Sequence, residues 1–345
     1  MALLKSMGKN PSGEHLEKAQ KSPNYREGIF QNLSKTVRVE GTGNFIKLLW
    51  KFMNKPEYTK PPKALPSVKT DLKNLPDGNP VLVWFGHSSY LIKIEGKHIL
   101  VDPVFSGYAS PFKTKSATNF AGSNVYGVDD MPQIDILLIT HDHYDHCDYQ
   151  TILKLNHKTK HIITSLGVAS HLEYWGINMN KITELDWHDN FEIDGFKFTS
   201  APARHFSGRT FKACKTLWAS FILKSKNHSI YIGADSGYDT HFKQIGEMHG
   251  PFDLALLESG QYNEMWHTIH MMPEETVQAS VDLKAKVLMP VHWGKFALAF
   301  HPWNEPVERV IKKAAELNVS LTTPMIGEPV IIGEKYPENK WWRTV

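Results

Sequence analysis

Hydrophobic and polar positions follow two distinct textures along this chain. From Val81 onward, short apolar runs separated by turn residues recur: VLVWFG, SSYLIKI, HILVDPVF and IDILLIT, each of strand length. A helix-like piece at Tyr149 to Leu155 precedes HIIT, a second helical piece around Val168 to Tyr174, and ITELDW. FEIDGFKFTSAPA reads as a hairpin turning at Asp194-Gly195, followed by the strand-like TLWASFILKS and SIYIGAD. The helix THFKQIGEM leads into FDLALLES. PEETVQASVDLKA places a proline and acids where a helix begins and feeds KVLMPVHW, and EPVERVIKKAAELN is a last amphipathic helix before EPVIIG. Two β-rich halves, each followed by helices, predict an α+β fold of two packed sheets with helices on their outer faces. No repeat with a period of about 20 to 50 residues interrupts that order.

Residues 1–79 are different. They are polar and broken by Pro11, Pro23, Pro56, Pro61, Pro62, Pro66 and Pro76, punctuation too dense for a compact core. The expected organisation is therefore an N-terminal extension, 1–79, wrapping a single domain, 80–345. Within the extension, FIKLLWKFM (Phe45 to Met53) sets Lys47 and Lys51 four apart, as on one helical face. Two readings stand for it: a helix docked on the domain, or an element that meets a membrane surface and admits lipid.

Composition narrows the partners. With 345 residues, 41% of them hydrophobic, the chain can bury a sizeable core. The net charge is only +3 and the lysines are dispersed, so no nucleic-acid surface is expected. Two cysteines, Cys147 and Cys214, build no disulfide framework and suit a reducing compartment. Lys5, Lys9, Glu14, Glu17, Lys18 and Lys21 leave no room for an apolar signal core, and no later window is long and apolar enough to span a bilayer. A soluble, cytoplasmic chain is expected, with peripheral membrane contact left open.

The chemistry concentrates in THDHYDH. The apolar run IDILLI empties into three histidines and two aspartates between His141 and His146, which ordinary cores do not do. His141 and His143 are two apart, so on extended backbone their imidazoles point to one side, and Asp145 and His146 follow where the chain turns toward a helix. One loop can thus serve two neighbouring ions. Imidazole and carboxylate suit zinc, and also Fe2+ or Mn2+, and each ion wants four or more ligands. The missing partners are sought at other strand ends: His205 after FKFTSAPA, Asp235 ending SIYIGAD, and His292 ending KVLMPVHW.

The motif His141-x-His143-x-Asp145-His146, with His205, Asp235 and His292, resembles the metallo-β-lactamase superfamily, whose fold is an αββα sandwich. The resemblance runs from about Val81 to Gly333. It implies one metal held by His141, His143 and His205, another by Asp145, His146 and His292, and Asp235 bridging them. The phrases DPVFSGYASP, LLITHDHYDHCDY, ELDW, GPFDLA and HWGKFALA further resemble N-acylphosphatidylethanolamine-hydrolysing phospholipase D and its bacterial relatives and, more loosely, the ascorbate-6-phosphate lactonases. A homodimer is a further expectation of that resemblance.

Two divalent cations about 3.5 to 4 Å apart can share a hydroxide and clamp both oxygens of an in-line displacement, so hydrolysis is the expected reaction. Ser88, Ser89 and Cys147 are then not needed as nucleophiles. Asp145, Asp235 and His270 are the candidate catalytic groups; His270 matches the position of an extra active-site histidine in the phospholipase family and would orient substrate or donate a proton. Arg209 is a candidate for facing a phosphate, and Tyr262, Trp266 and Trp293 for lining a pocket. Asp102 is expected to hydrogen-bond a metal ligand, and His87 to do so or to be structural. The substrate is expected to be a phospholipid or a small phosphoester. A lactonase or phosphodiesterase of a soluble substrate is the alternative, followed by a non-catalytic metal-stabilised binding protein. A diiron oxidoreductase is disfavoured because related enzymes carry a glutamate where this chain has His143.

Overall fold

The computed structural model describes residues 2–39, 50–52, 54–210 and 212–345. Of the FIKLLWKFM segment, residues 45–49 and 53 therefore lie outside the described residues. Among the described residues, fifteen short strands follow one another along the chain. A hairpin of β1 (Tyr25–Arg26) and β2 (Ile29–Phe30) stands apart in the extension. The first large sheet holds β3 (Val81–Trp84), β4 (Tyr90–Ile94), β5 (Lys97–Val101), β6 (Ile134–Ile139), β7 (Thr159–Ser165) and β8 (Ile182–Leu185). The second holds β9 (Asn190–Ile193), β10 (Phe196–Ala201), β11 (Ser220–Lys224), β12 (Ser229–Ile232), β13 (Leu254–Glu258) and β14 (Leu288–Val291). The last strand, β15 (Pro329–Ile331), returns to the first sheet beside β3.

Alternation along these strands decides the layers. On β6, Ile136 and Leu138 face the second sheet while Leu137 and Ile139 face helices Tyr149–Leu155 and Ala169–Tyr174. On the second sheet, Leu254 and Leu256 face inward, whereas Ala255 and Leu257 pack under helices His241–His249, Pro273–Asp282 and Glu305–Leu317. The result is helix, sheet, sheet, helix. Because β6 pairs in parallel with both β5 and β7 and is covered on both faces, all six of its residues are buried, which is why its sequence reads as apolar at every position but Asp135. The hairpin turn expected at Asp194-Gly195 is present, with φ of 52° and 85° as a two-residue turn between twisted strands requires. Helix Pro273–Asp282 begins with its proline in the first turn, and Glu275 accepts the Met272 N–H at 2.8 Å.

The extension lies against the sandwich and contributes to its core. Ala19 and Phe30 are buried in the layer between the sheets' flanks, and the Phe30 N–H donates to the Cys214 carbonyl at 2.8 Å. Further along, Leu65 bonds to Ala121 and Val68 to Ile326, so the segment crosses the edge of the first sheet near β15. Among the described residues, no helix is long and apolar enough to cross a membrane.

Candidate metal centre

The site lies along one rim of the sandwich, where strands of both sheets end. The His141–His146 loop follows β6, His205 follows β10, Asp235 follows β12 and His292 follows β14. Three residues here, His87 (φ 55°), Asp102 (φ 39°) and His292 (φ 68°), hold left-handed backbone, a cost of roughly 1–3 kcal/mol each that the surroundings must offset. Gly260 makes room for one of them, since a Cβ there would meet the His292 carbonyl oxygen at 2.1 Å.

The seven candidate ligands converge in two sets that meet at Asp235. In the first, His143 Nδ1 lies 3.0 Å from His141 Nε2 and 3.2 Å from His205 Nε2, and Asp235 Oδ2 lies 3.8 and 3.7 Å from those two histidines. In the second, His146 Nε2 is 3.2 Å from Asp235 Oδ2 and 3.8 Å from Asp145 Oδ2, while His292 Nδ1 is 3.1 Å from Asp235 Oδ1. Ligand atoms on one tetrahedral zinc sit about 3.4 Å apart, given bonds near 2.05 Å, so these separations suit donors around a shared centre. Several are buried without a well-aligned hydrogen bond: His146 Nε2 and Asp235 Oδ1 lie near other polar atoms yet aim past them. That is the arrangement expected of side chains directed at an ion. His87, Asp145, His146 and His292 form one cluster able to hold a metal, and His141, His143, His205 and Asp235 another.

Charge agrees with the geometry. Burial drives His141, His205 and His292 well below the ordinary imidazole value, which leaves the neutral ring a metal requires. Burial opposes charge at His146 too, but the carboxylates of Asp235, Asp145 and Asp102 overcome it and lift that ring well above its usual value. Three buried carboxylates around one imidazole favour positive charge there, and a divalent ion would supply it.

An outer ring of contacts supports these residues. Asp102 Oδ2 accepts from His146 Nδ1 at 2.8 Å, and its carboxylate is fixed in turn by the Thr140 N–H and hydroxyl at 2.8 and 2.6 Å. His87 Nε2 lies 2.9 Å from Asp145 Oδ2, and Ser88 Oγ lies 3.0 Å from His292 Nδ1. His205 Nδ1 meets the Ile269 carbonyl at 2.9 Å. Lys295, fully buried, ties the loops carrying His87 and Asp102 together through the Phe85 and Val104 carbonyls, and burial brings its amine down to about 7. Asp102 thus takes the supporting place expected for it, while the Ser88 hydroxyl approaches the same His292 nitrogen that faces Asp235.

A cavity of about 630 Å³ opens over the cluster, lined by Arg38, Phe52, Phe206, Trp266, Ile269 and Leu298 beside His143, Asp145 and His270. His270 Nδ1 lies 3.3 Å from Glu258 Oε2, and Glu258 Oε1 accepts the Met271 N–H at 2.8 Å. Burial pushes Glu258 up to about 7; burial also resists the His270 cation, but Glu258's charge outweighs it and raises His270. Glu258 was not foreseen from the sequence, although an acid closing the apolar strand LALLE, level with Asp235 and His292, is a signal of the same kind as theirs.

Other expected residues stand elsewhere. Trp266 does line the cavity, but Tyr262 points away, its hydroxyl donating to Glu305 at 2.6 Å and its ring stacked on His301. Trp293 is core, packed on Trp84 and Trp341. Arg209 faces no part of the cavity: it lies behind the metal loop, 3% exposed, donating to the Asp142 and Cys147 carbonyls at 2.7 and 2.6 Å and stacked over Tyr144. Four residues past His205, it follows the chain away from the rim, so spacing alone misplaced it.

Residues 97–293 match the beta-lactamase superfamily domain. An uncharacterized protein of Mycobacterium tuberculosis is 38% identical over 330 residues, 94% of this chain and 88% of its own length. The N-acyl-phosphatidylethanolamine-hydrolyzing phospholipase D 1 of Caenorhabditis elegans is 31% identical over 233 residues, 62% of this chain and 64% of that protein. Among solved structures, a metallo hydrolase from the archaeon Ignicoccus hospitalis superposes with a TM-score of 0.55 at 20% identity, covering 73% of this chain and 98% of its own, a likeness of fold. Sequence, fold and clustered ligands agree: the chain belongs to the metallo-β-lactamase superfamily and is a metal-dependent hydrolase.

Proposed function

We propose that this protein is a dizinc phosphodiesterase of the phospholipase D type, with an N-acylated ethanolamine phospholipid as its substrate. The observation that carries the reading is the cavity, in which an apolar wall of Phe52, Phe206, Trp266, Ile269 and Leu298 stands directly against the ligand cluster. Such a wall accommodates an acyl chain while the reacting ester lies at the polar end. The resemblance to the C. elegans phospholipase supports the same substrate class.

In this reading His141, His143 and His205 would hold one ion and Asp145, His146 and His292 the other, with Asp235 available to both. Two bound divalent ions acidify water and neutralise the charge of a phosphodiester. The remaining work falls to the chain. Glu258 fixes the ring of His270 through Nδ1, leaving the opposite edge for the substrate, where it can pass a proton to the leaving alkoxide. Trp266 and its neighbours exclude water from the acyl side. Arg38, at the mouth with its guanidinium 5.8 Å from the Phe206 ring, supplies a cation for an anionic headgroup.

The test is mass spectrometry of products after the two-metal protein is mixed with detergent-dispersed N-acylphosphatidylethanolamine, with Asp235→Ala as control. Phosphatidic acid and free N-acylethanolamine, absent from the control, are expected. No product from protein confirmed to hold two metals overturns this substrate and directs the search to soluble esters and lactones.

A further inference from the structure

The supports of the two ligand sets come from different parts of the chain. Those of the Asp145, His146 and His292 set, namely His87, Ser88, Asp102 and Thr140, all belong to the sandwich itself. Those of the His141, His143 and His205 set reach into the N-terminal extension by two separate routes.

The first route runs through Asp142, the residue between His141 and His143. Its carboxylate accepts the Gly208 N–H at 2.7 Å and the Thr216 hydroxyl at 3.0 Å, and lies 3.1 Å from His171 Nε2. On the far edge of that imidazole, Nδ1 accepts the backbone N–H of Lys9 at 3.0 Å. The Lys9 bond therefore fixes the tautomer, placing the ring proton on Nε2, where it is donated to Asp142. The approach is so close that only glycine fits before it: a Cβ on Gly8 (φ 72°) would lie 2.3 Å from His171 Nδ1. The same segment is held at Lys5, whose carbonyl accepts from Trp175 Nε1 at 2.8 Å, and at Ser6, whose carbonyl accepts from Arg209 at 2.7 Å. Arg209 then grips the metal loop at the Asp142 and Cys147 carbonyls.

The second route is Asn32. Its amide donates to the His205 carbonyl at 2.8 Å and its oxygen accepts the His205 N–H at 3.1 Å, a pair of bonds that fixes the backbone of the ligand in both directions.

We infer that the N-terminal extension organises one metal site of the pair: residues Gly8 and Lys9, through His171 and Asp142, and Asn32, through His205, set the affinity of the His141, His143 and His205 site while leaving the other to the domain. The extension is thereby a positioning element of the metal centre, acting from residues more than a hundred positions away in the chain. This inference is independent of the substrate, and outer contacts of this kind change metal affinity by about 10–100-fold when lost.

The full-length chain carrying Gly8→Ala, and separately Asn32→Ala, is compared with wild type for zinc stoichiometry and affinity by competition with a chromophoric chelator, with circular dichroism to verify folding. In each variant one of the two zinc ions is expected to bind at least about tenfold more weakly, with the second unchanged. Adding Asp102→Asn, which acts on the other set, is expected to weaken the ion that remains. Unchanged affinity at both sites in Asn32→Ala, or equal weakening of both ions in a folded variant, overturns the inference. If Gly8→Ala does not fold, Asn32→Ala decides alone.

Discussion

The two ligand sets of this centre are made of similar side chains and are built on different principles. The set around His146 has a charged anchor: a buried carboxylate, Asp102, holds one ring, while a second ring, His87, whose cation burial disfavours, holds the candidate ligand Asp145. The set around His143 has neutral anchors, with His205 Nδ1 on a backbone carbonyl and His141 Nδ1 3.0 Å from the Thr140 hydroxyl, and its loop is gripped from outside the sandwich. Charged anchors raise the basicity of a ligand imidazole, whereas neutral ones mainly fix its direction. One site should thus depend on electrostatics within the domain, the other on shape imposed by the extension.

The comparison breaks most completely at Asp235, the one residue belonging to both sets. Asp235→Ala removes a carboxylate that lies within 3.8 Å of His141, His146 and His205. Turnover is expected to fall by about 10⁴-fold or more, with metal analysis showing a deficit in both ions. Full activity with two metals bound would show that the sets do not communicate through it. The next largest effect isolates chemistry from metal binding. His270 stacks on His292 with centroids 5.3 Å apart, and its bonding partner is Glu258. His270→Ala should retain both metals and lose about 10²–10³-fold in kcat. Loss of a metal instead would make His270 a ligand of the third small cluster it forms with Asp235 and His292.

Much of this is legible in the sequence. The apolar strand running into His141–His146, and single histidines or aspartates ending three later strands, point to seven candidate ligands that the structure gathers on one rim, because strand ends of a packed sandwich share it. Spacing and composition fail where function depends on an unpatterned pairing. His171 sits on a short helix and Asp142 looks like one more acid in a crowded loop; nothing in either stretch tells that Lys9 lies between them and the solvent. Arg209 and Tyr262 failed for the opposite reason: their residue types suit a phosphate or a pocket, and the backbone carries them elsewhere.

Asp102→Asn sharpens the contrast between charged and neutral anchoring. Asparagine keeps the shape and its one oxygen can still accept from His146 Nδ1, but its NH2 then faces the Thr140 N–H, so the anion and one acceptor are lost. Binding of one metal is expected to weaken by about 10–100-fold, read by chelator competition, while the other is unaffected. Equal weakening of both would mean that Asp102 acts through the Thr140 hydroxyl, which also lies beside His141.

The smallest effect weighs a neutral contact of the His146 set. At His292 the neutral Ser88 hydroxyl lies 3.0 Å from Nδ1, the nitrogen that also faces Asp235, and both residues are buried. A neutral hydrogen bond of this type contributes about 0.5–1.5 kcal/mol, so Ser88→Ala should cost only about two- to tenfold in affinity for that metal. The substitution leaves no bulk to clash and removes a single oxygen, and the chain's stability should hardly move. A loss as large as that of Asp102→Asn would place the controlling contact at His292 rather than at His146. The distinction between the two sets would then lie in ring orientation, and charge would be a secondary support in both.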